Sequence, residues 1–187
     1  MRSYLRADLE RFLKAVNGSL RRRVEVVVIG GAAAVIHYGV AVGTRDIDTW
    51  TTVGRELLPA LERARRATGL QVPFQKSGVA DAPFDFESRL QRALPELLRL
   101  LIRVPERHDL TLMKVLRGDE QDLETITAMH RQSPLDQDLL IKRYREEMGA
   151  TVIDPARLRS QFLVMIERLF PGAAEAVART LRRRPRS

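Results

Sequence analysis

The sequence predicts an α+β fold, with strands and helices mixed to about residue 105 and helices alone after it. Three observations carry this. Val24-Glu25-Val26-Val27-Val28-Ile29 is a β-branched run cut off by Gly30-Gly31, the pattern of a buried strand and a tight turn. Thr44 to Trp50 alternates, the pattern of a second strand. Beyond residue 105 the apolar residues recur at helical spacing and two prolines sit where helices start.

Taken in order, Ser3 is expected to cap a first helix whose apolar face is Leu5, Leu9, Phe12, Leu13 and Val16, ended by Asn17-Gly18-Ser19. Arg21-Arg22-Arg23 then reads as a solvated linker. After the first strand, Ala32 to Gly39 favours a short helix. Glu56 to Ala67 is a helix closed by Gly69. Leu70 to Phe74 is a short strand, residues 75 to 83 a loop, and Phe84 to Glu87 strand or turn. Arg89 to Leu94 is expected as a helical turn, and Leu97 to Val104 is helix or strand by propensity, stopped by Pro105.

The second part runs as Asp109 to Leu116, an interruption at Gly118, and a helix to about Arg131. Asp119 is placed to cap that helix. Ser133-Pro134 signals a helix bearing Leu140, Tyr144 and Met148. Asp154-Pro155 signals the next, striped by Leu158, Phe162, Ile166 and Leu169 and broken at Pro171-Gly172 before a last helix from Ala173 to Leu181. The expected divisions are 1–105, 106–181, and a basic tail, 182–187, expected to be disordered.

The chemistry follows from the alternation. Side chains at i and i+2 of a strand leave on one face, so Asp46 and Asp48 point together while Ile47 points into the core. Two adjacent carboxylates repel unless a cation joins them. Hard oxygen ligands suit Mg²⁺, with Mn²⁺ as the alternative, and leave sites for substrate phosphates. Gly30 and Gly31 let backbone approach a ligand, and N–H groups at the start of the Ala-rich helix attract an anion.

Net charge is +8 and 28 of the 32 basic residues are Arg, a surface suited to phosphate. With no cysteine, disulfides, Fe–S clusters and thiolate zinc sites are excluded. Three scattered histidines, His37, His108 and His130, make no zinc site. No apolar run is long enough to span a bilayer and the N-terminus lacks the apolar stretch of a signal peptide, so a cytoplasmic location is expected.

At Gly30-Gly31 and Thr44-Arg45-Asp46-Ile47-Asp48 the chain resembles the nucleotidyltransferase fold shared with DNA polymerase β. Within it, the chain is most similar to the bacterial abortive-infection E type and related toxin-like proteins, whose pattern adds a Lys- and Arg-bearing helix, here Asp109 to Leu123. The resemblance covers roughly Val24 to Met129. It implies a small mixed sheet flanked by helices, with Leu97 to Val104 as a strand.

The resemblance also implies an activity: Mg²⁺-dependent transfer of an NMP from an NTP. Asp46 and Asp48 would hold the metal. Lys114 would neutralise the triphosphate, and Gly30, Gly31, Thr44, Arg45 and Arg117 would bind the nucleotide. Lys114 and Arg117, three apart, are expected on one helix face, with Asp122 orienting them. The acceptor would be a tRNA 3′ end or a protein hydroxyl, and the role that of a toxin with a cognate antitoxin or in phage defence. The chain departs from the general pattern in one respect: Leu97 to Val104 carries no third acid, with Asp85, Glu87 and Glu106 as the nearest substitutes. Two other readings stand beside this one, a catalytically silent nucleotide- or partner-binding module and an antibiotic-modifying nucleotidyltransferase.

Overall fold

A computed structural model describes residues 3–78, 81–149 and 151–182. The chain divides into two compact units: residues 1–80 with 87–106, and residues 81–86 with 107–187.

The first unit is built on a mixed sheet. β1 (Val24–Val27) pairs in parallel with β5 (Leu100–Val104), Val24 opposite Leu100, and β4 (Gln91–Ala93) runs antiparallel on the far edge of β5. β2 (Ile47–Thr49) and β3 (Phe74–Lys76) form a parallel pair. The antiparallel bridge between Val28 and Thr49 joins the two sets, giving the order β3-β2-β1-β5-β4. β1 is buried at three of its four positions, all valines, with Glu25 exposed between them.

α1 (Arg6–Ser19) buries Leu9, Phe12, Leu13 and Val16 and packs on α3 (Leu58–Thr68), α2 (Gly30–Ile36) and β5. Each such side chain contributes about 1.5–3 kcal/mol when fully buried. Ser3 does not cap α1: Leu5 is the N-cap residue, 57% exposed, and its N–H donates to the Asp8 carboxylate. At the other end Asn17 Oδ1 accepts from the N–H groups of Arg99 and Leu100, tying the helix to the start of β5. Gly69 closes α3 in the left-handed conformation that glycine adopts without a Cβ clash.

Two further expectations for this unit are corrected. Residues 91–93 form an edge strand rather than a helical turn, because pairing with β5 outweighs local propensity. The strand expected at Leu70 to Phe74 begins only at Phe74 and continues to Lys76. Phe84 to Glu87 takes the turn alternative and leads into a 3-10 helix, Phe86–Arg89.

The second unit is helical. α4 (Arg107–Val115), α5 (Glu120–Gln132), α6 (Gln137–Glu147), α7 (Pro155–Leu169) and α8 (Ala174–Arg182) enclose one core that includes Leu112, Ile126, Leu140, Phe162, Met165 and Ile166. Residues 81–86 are tied to it where Phe84 N–H donates to Glu147 O and Asp81 accepts from Val152 N–H. Asp154 caps α7 through Arg157 N–H, and Asp119 caps α5 through Asp122 N–H. Ser133 does not open α6: its N–H closes α5 on Met129 O, and Asp136 caps α6 through Leu139 N–H. Arg182 is the last residue of α8, and the rest of the expected tail lies outside the described residues. No described helix is long and apolar enough to cross a membrane.

Candidate functional site

In the first unit the end of β1 and the start of β2 are fastened together. Ile29 N–H donates to Asp48 O at 2.9 Å, and Trp50 N–H donates to Val27 O at 2.9 Å. This places Asp48 beside Gly30. Gly30 has φ +66°, and a Cβ built there would lie 3.6 Å from Asp48 Oδ2. The carboxylate therefore stands against backbone that carries no side chain. Gln75, opposite Asp48 in the β2–β3 register, directs its Nε2 to Asp48 Oδ1 at 3.5 Å.

Ile47 is 1% exposed while Asp46 and Asp48 are both half-buried, the alternation a strand imposes. Thr44 is buried rather than open to a ligand. Its backbone pairs with Tyr4 on both sides, its hydroxyl donates to Asp46 O, and a Cβ at Gly31 would meet its Oγ1 at 2.8 Å. Gly31 is thus small because Thr44 presses on it, and Thr44 in turn sets the path of the backbone into Asp46. Arg45 is exposed. His37 is half-buried, with Nε2 3.0 Å from Gln91 Oε1.

The donors on offer at Asp46 and Asp48 are hard oxygens, half open to solvent, with no sulfur or imidazole. That set fits Mg²⁺, which is held through one or two carboxylates and completed by water and phosphate. Among the described residues no group of three or more acids or histidines could share a metal. Glu87, one of the substitute acids, accepts from Trp50 Nε1 instead.

In the second unit Asp122 gathers both predicted cations. Lys114 Nζ lies 2.6 Å from its Oδ1, and Arg117 forks onto it, Nε to Oδ2 at 2.9 Å and Nη2 to Oδ1 at 2.8 Å. Arg117 is not on α4. The helix stops at Val115, and Arg117 sits in the following turn, its N–H on Lys114 O. Burial divides the pair: Lys114 is 3% exposed, whereas the Arg117 side chain is 60% exposed. Burial holds the Lys114 ammonium below its usual pKa, against the pull of Asp122. Burial alone would raise Asp122, but Arg117's hydrogen bonds and Lys114's charge leave it below the ordinary carboxylate value.

A residue that spacing does not reveal completes this cluster. Gln161 of α7 donates from Nε2 to Arg117 O at 3.0 Å and lies over Gly118, leaving no room for a side chain there. Its Oε1 is buried with no hydrogen-bond partner among the described residues. A lone glutamine 44 positions away carries no local signal.

Residues 7–168 match the model of a family described as "Nucleotidyltransferase of unknown function (DUF6036)". The chain belongs to this family. The match takes in Gly30-Gly31, Asp46, Asp48 and the Lys114–Asp122–Arg117 cluster, so the DUF6036 assignment and the polymerase-β-like resemblance rest on overlapping residues. It supports the nucleotidyltransferase superfamily without singling out the abortive-infection E type. No curated protein and no solved structure matches the chain.

Proposed function

We propose that this DUF6036 protein transfers a nucleoside monophosphate from an NTP to an acceptor hydroxyl and releases pyrophosphate. The observation that carries the reading is Asp48 set against the side-chain-free backbone of Gly30, with Asp46 one alternation away. Mg²⁺ on these two carboxylates would offset charge on the triphosphate as the α-phosphorus is attacked. Gly30 admits phosphate close to the backbone, and the Gly31–Thr44 contact fixes the approach to Asp46. The acceptor oxygen bonds to the α-phosphorus, the bond to the β-phosphate's bridging oxygen breaks, and the hydroxyl proton passes to solvent.

An RNA 3′ end or a protein hydroxyl is the acceptor this reading favours, supported by the Arg-rich surface and the likeness at Thr44-Arg45-Asp46-Ile47-Asp48. The same likeness supports a role as the toxin of a toxin–antitoxin or phage-defence pair.

The test is incubation with each of four α-labelled NTPs, total RNA and lysate protein, with and without EDTA. Label should enter one acceptor class, vanish with EDTA, and fall at least about 100-fold in Asp46→Asn and Asp48→Asn. Undiminished labelling by both folded variants overturns the reading. Thermal stabilisation by Mg²⁺–NTP without any label favours the silent binding module, a reading to which the missing third acid lends support.

A further inference from the structure

The second unit contains a cavity of about 560 Å³ that the transfer chemistry does not use. α6, α7 and α8 line it, together with Gly149 and Thr151. Its apolar surface comes from Tyr144, Met148, Leu158 and Leu181, and its charge from Arg145, Arg159 and Arg182. Among the described residues no Asp or Glu lines it.

Three acids close in sequence to the lining residues have other partners: Glu147 accepts from Asp85 N–H, Asp154 caps α7, and Glu175 pairs with Arg179. Arg159 donates from Nη2 to a backbone carbonyl, Ala178 O, at 3.0 Å. No carboxylate pairs with Arg145, Arg159 or Arg182 among the described residues. Tyr144 is stacked on Phe162 at 4.0 Å between centroids, which holds its ring rigid where it meets the cavity.

Three guanidiniums without counter-charge, around an apolar floor with one rigid aromatic ring, match a ligand that is anionic and flat at once. The guanidinium fork suits phosphate oxygens, and the floor suits a base. The volume suits a drug-sized group and is too small for a duplex. The chain's own continuation, Arg183-Arg184-Pro185-Arg186, is basic and would not neutralise the site.

We propose that this cavity holds one nucleotide of a single-stranded RNA, its base on the apolar floor and its phosphates on Arg145, Arg159 and Arg182. The choice of RNA rests on the acceptor reading above; the match of phosphate and base to the cavity does not.

Binding of fluorescein-labelled RNA octanucleotides, followed by anisotropy without NTP, tests it on the full chain carrying Asp46→Asn. Arg145→Ala with Arg182→Ala, both exposed positions, should weaken binding at least about 10-fold. The slope of log K against log salt should fall by about 1.4, or about 0.7 for each phosphate left without its guanidinium. Arg55→Ala with Arg66→Ala, which removes the same charge from the first unit, should change affinity less than about twofold.

Three results overturn the proposal: no RNA binding, equal weakening by the two double variants, or a duplex or acidic peptide binding as tightly as the single strand. A DNA octanucleotide binding more tightly than RNA overturns the choice of RNA. Loss of transfer with retained RNA binding counts against the catalytic reading and leaves this site standing.

Discussion

Lys114 and Asp122 are buried together, 2.6 Å apart between Nζ and Oδ1, and Arg117 closes on the same carboxylate from the solvent side. One carboxylate thus faces two cations, and removing different members has unequal consequences. Asp122→Asn removes the carboxylate paired directly with the buried Lys114 ammonium, which should destabilise the protein by about 3–5 kcal/mol. Lys114→Met leaves Asp122 still forked by Arg117 and should cost less than half as much. Urea unfolding followed by far-UV circular dichroism checks the order, and equal losses would show that Asp122 does not neutralise Lys114.

The same geometry gives an acid dependence. Asp122 titrates below its ordinary value in the folded state, so the folded protein binds fewer protons than the unfolded one as the pH falls. Its contribution is complete above the unfolded value near 3.8 and is lost as pH falls through the lower folded value. The acid limb of the wild-type stability curve should therefore flatten in Asp122→Asn. An acid limb of unchanged steepness would place the responsible carboxylates elsewhere.

Gly30 and Gly31 should respond differently to a methyl group. At Gly30 only backbone conformation resists, because a Cβ would stand in ordinary contact with Asp48 Oδ2; Gly30→Ala should cost about 1–2 kcal/mol. At Gly31 the methyl collides with Thr44, an overpacking cost of about 1–3 kcal/mol. Thr44→Ala should recover much of the second loss and none of the first. Thermal melts of the three single and two double variants measure this, and equal rescue at both positions would remove Thr44 as the cause.

These cases indicate what could be read without coordinates. β1 and α7 were legible because local signals agree with burial: a β-branched run at Val24 to Ile29, and Asp154-Pro155 ahead of Leu158, Phe162, Ile166 and Leu169. β4 was not legible, since a three-residue edge strand exists only through pairing with β5. Ser133-Pro134 resembled a helix start, but Asp136, three residues after Ser133, supplies the cap. For the candidate site, alternation anticipated buried Ile47 between the half-buried Asp46 and Asp48, and the family resemblance, not spacing, anticipated Asp122 beside Lys114 and Arg117. Spacing could not show that Lys114 is buried and Arg117 exposed, nor that Gln161 holds the turn between them and α5, because those follow from long-range packing.

The connection between α5 and α6 should be sensitive to mild acid. His130 Nδ1 accepts from Leu135 N–H, and protonating that nitrogen breaks the bond. Burial lowers the His130 pKa, so the folded state takes up its proton at lower pH than the unfolded chain. Stability is full above the unfolded value near 6.5 and is lost as pH falls below it toward the folded value. The melting temperature should fall between pH 7.5 and 5, and fall less in His130→Gln. A variant that tracks the wild type across that range would clear His130 of the effect.

Arg117 offers the sharpest separation of structure from function. Its fork on Asp122 fixes the guanidinium while most of the side chain stays open to solvent. Lysine keeps the charge but cannot span both carboxylate oxygens in a fork. If Arg117 meets phosphate, Arg117→Lys should raise the KM for NTP about 10-fold with little change in melting temperature. Asp122 is still neutralised by Lys114, so the fold has no reason to weaken. Gln161→Leu, which removes the donor to Arg117 O and shifts the turn without altering charge, should raise the same KM by a smaller factor. A drop in kcat at constant KM in both variants would instead place Arg117 at the transition state rather than in nucleotide binding.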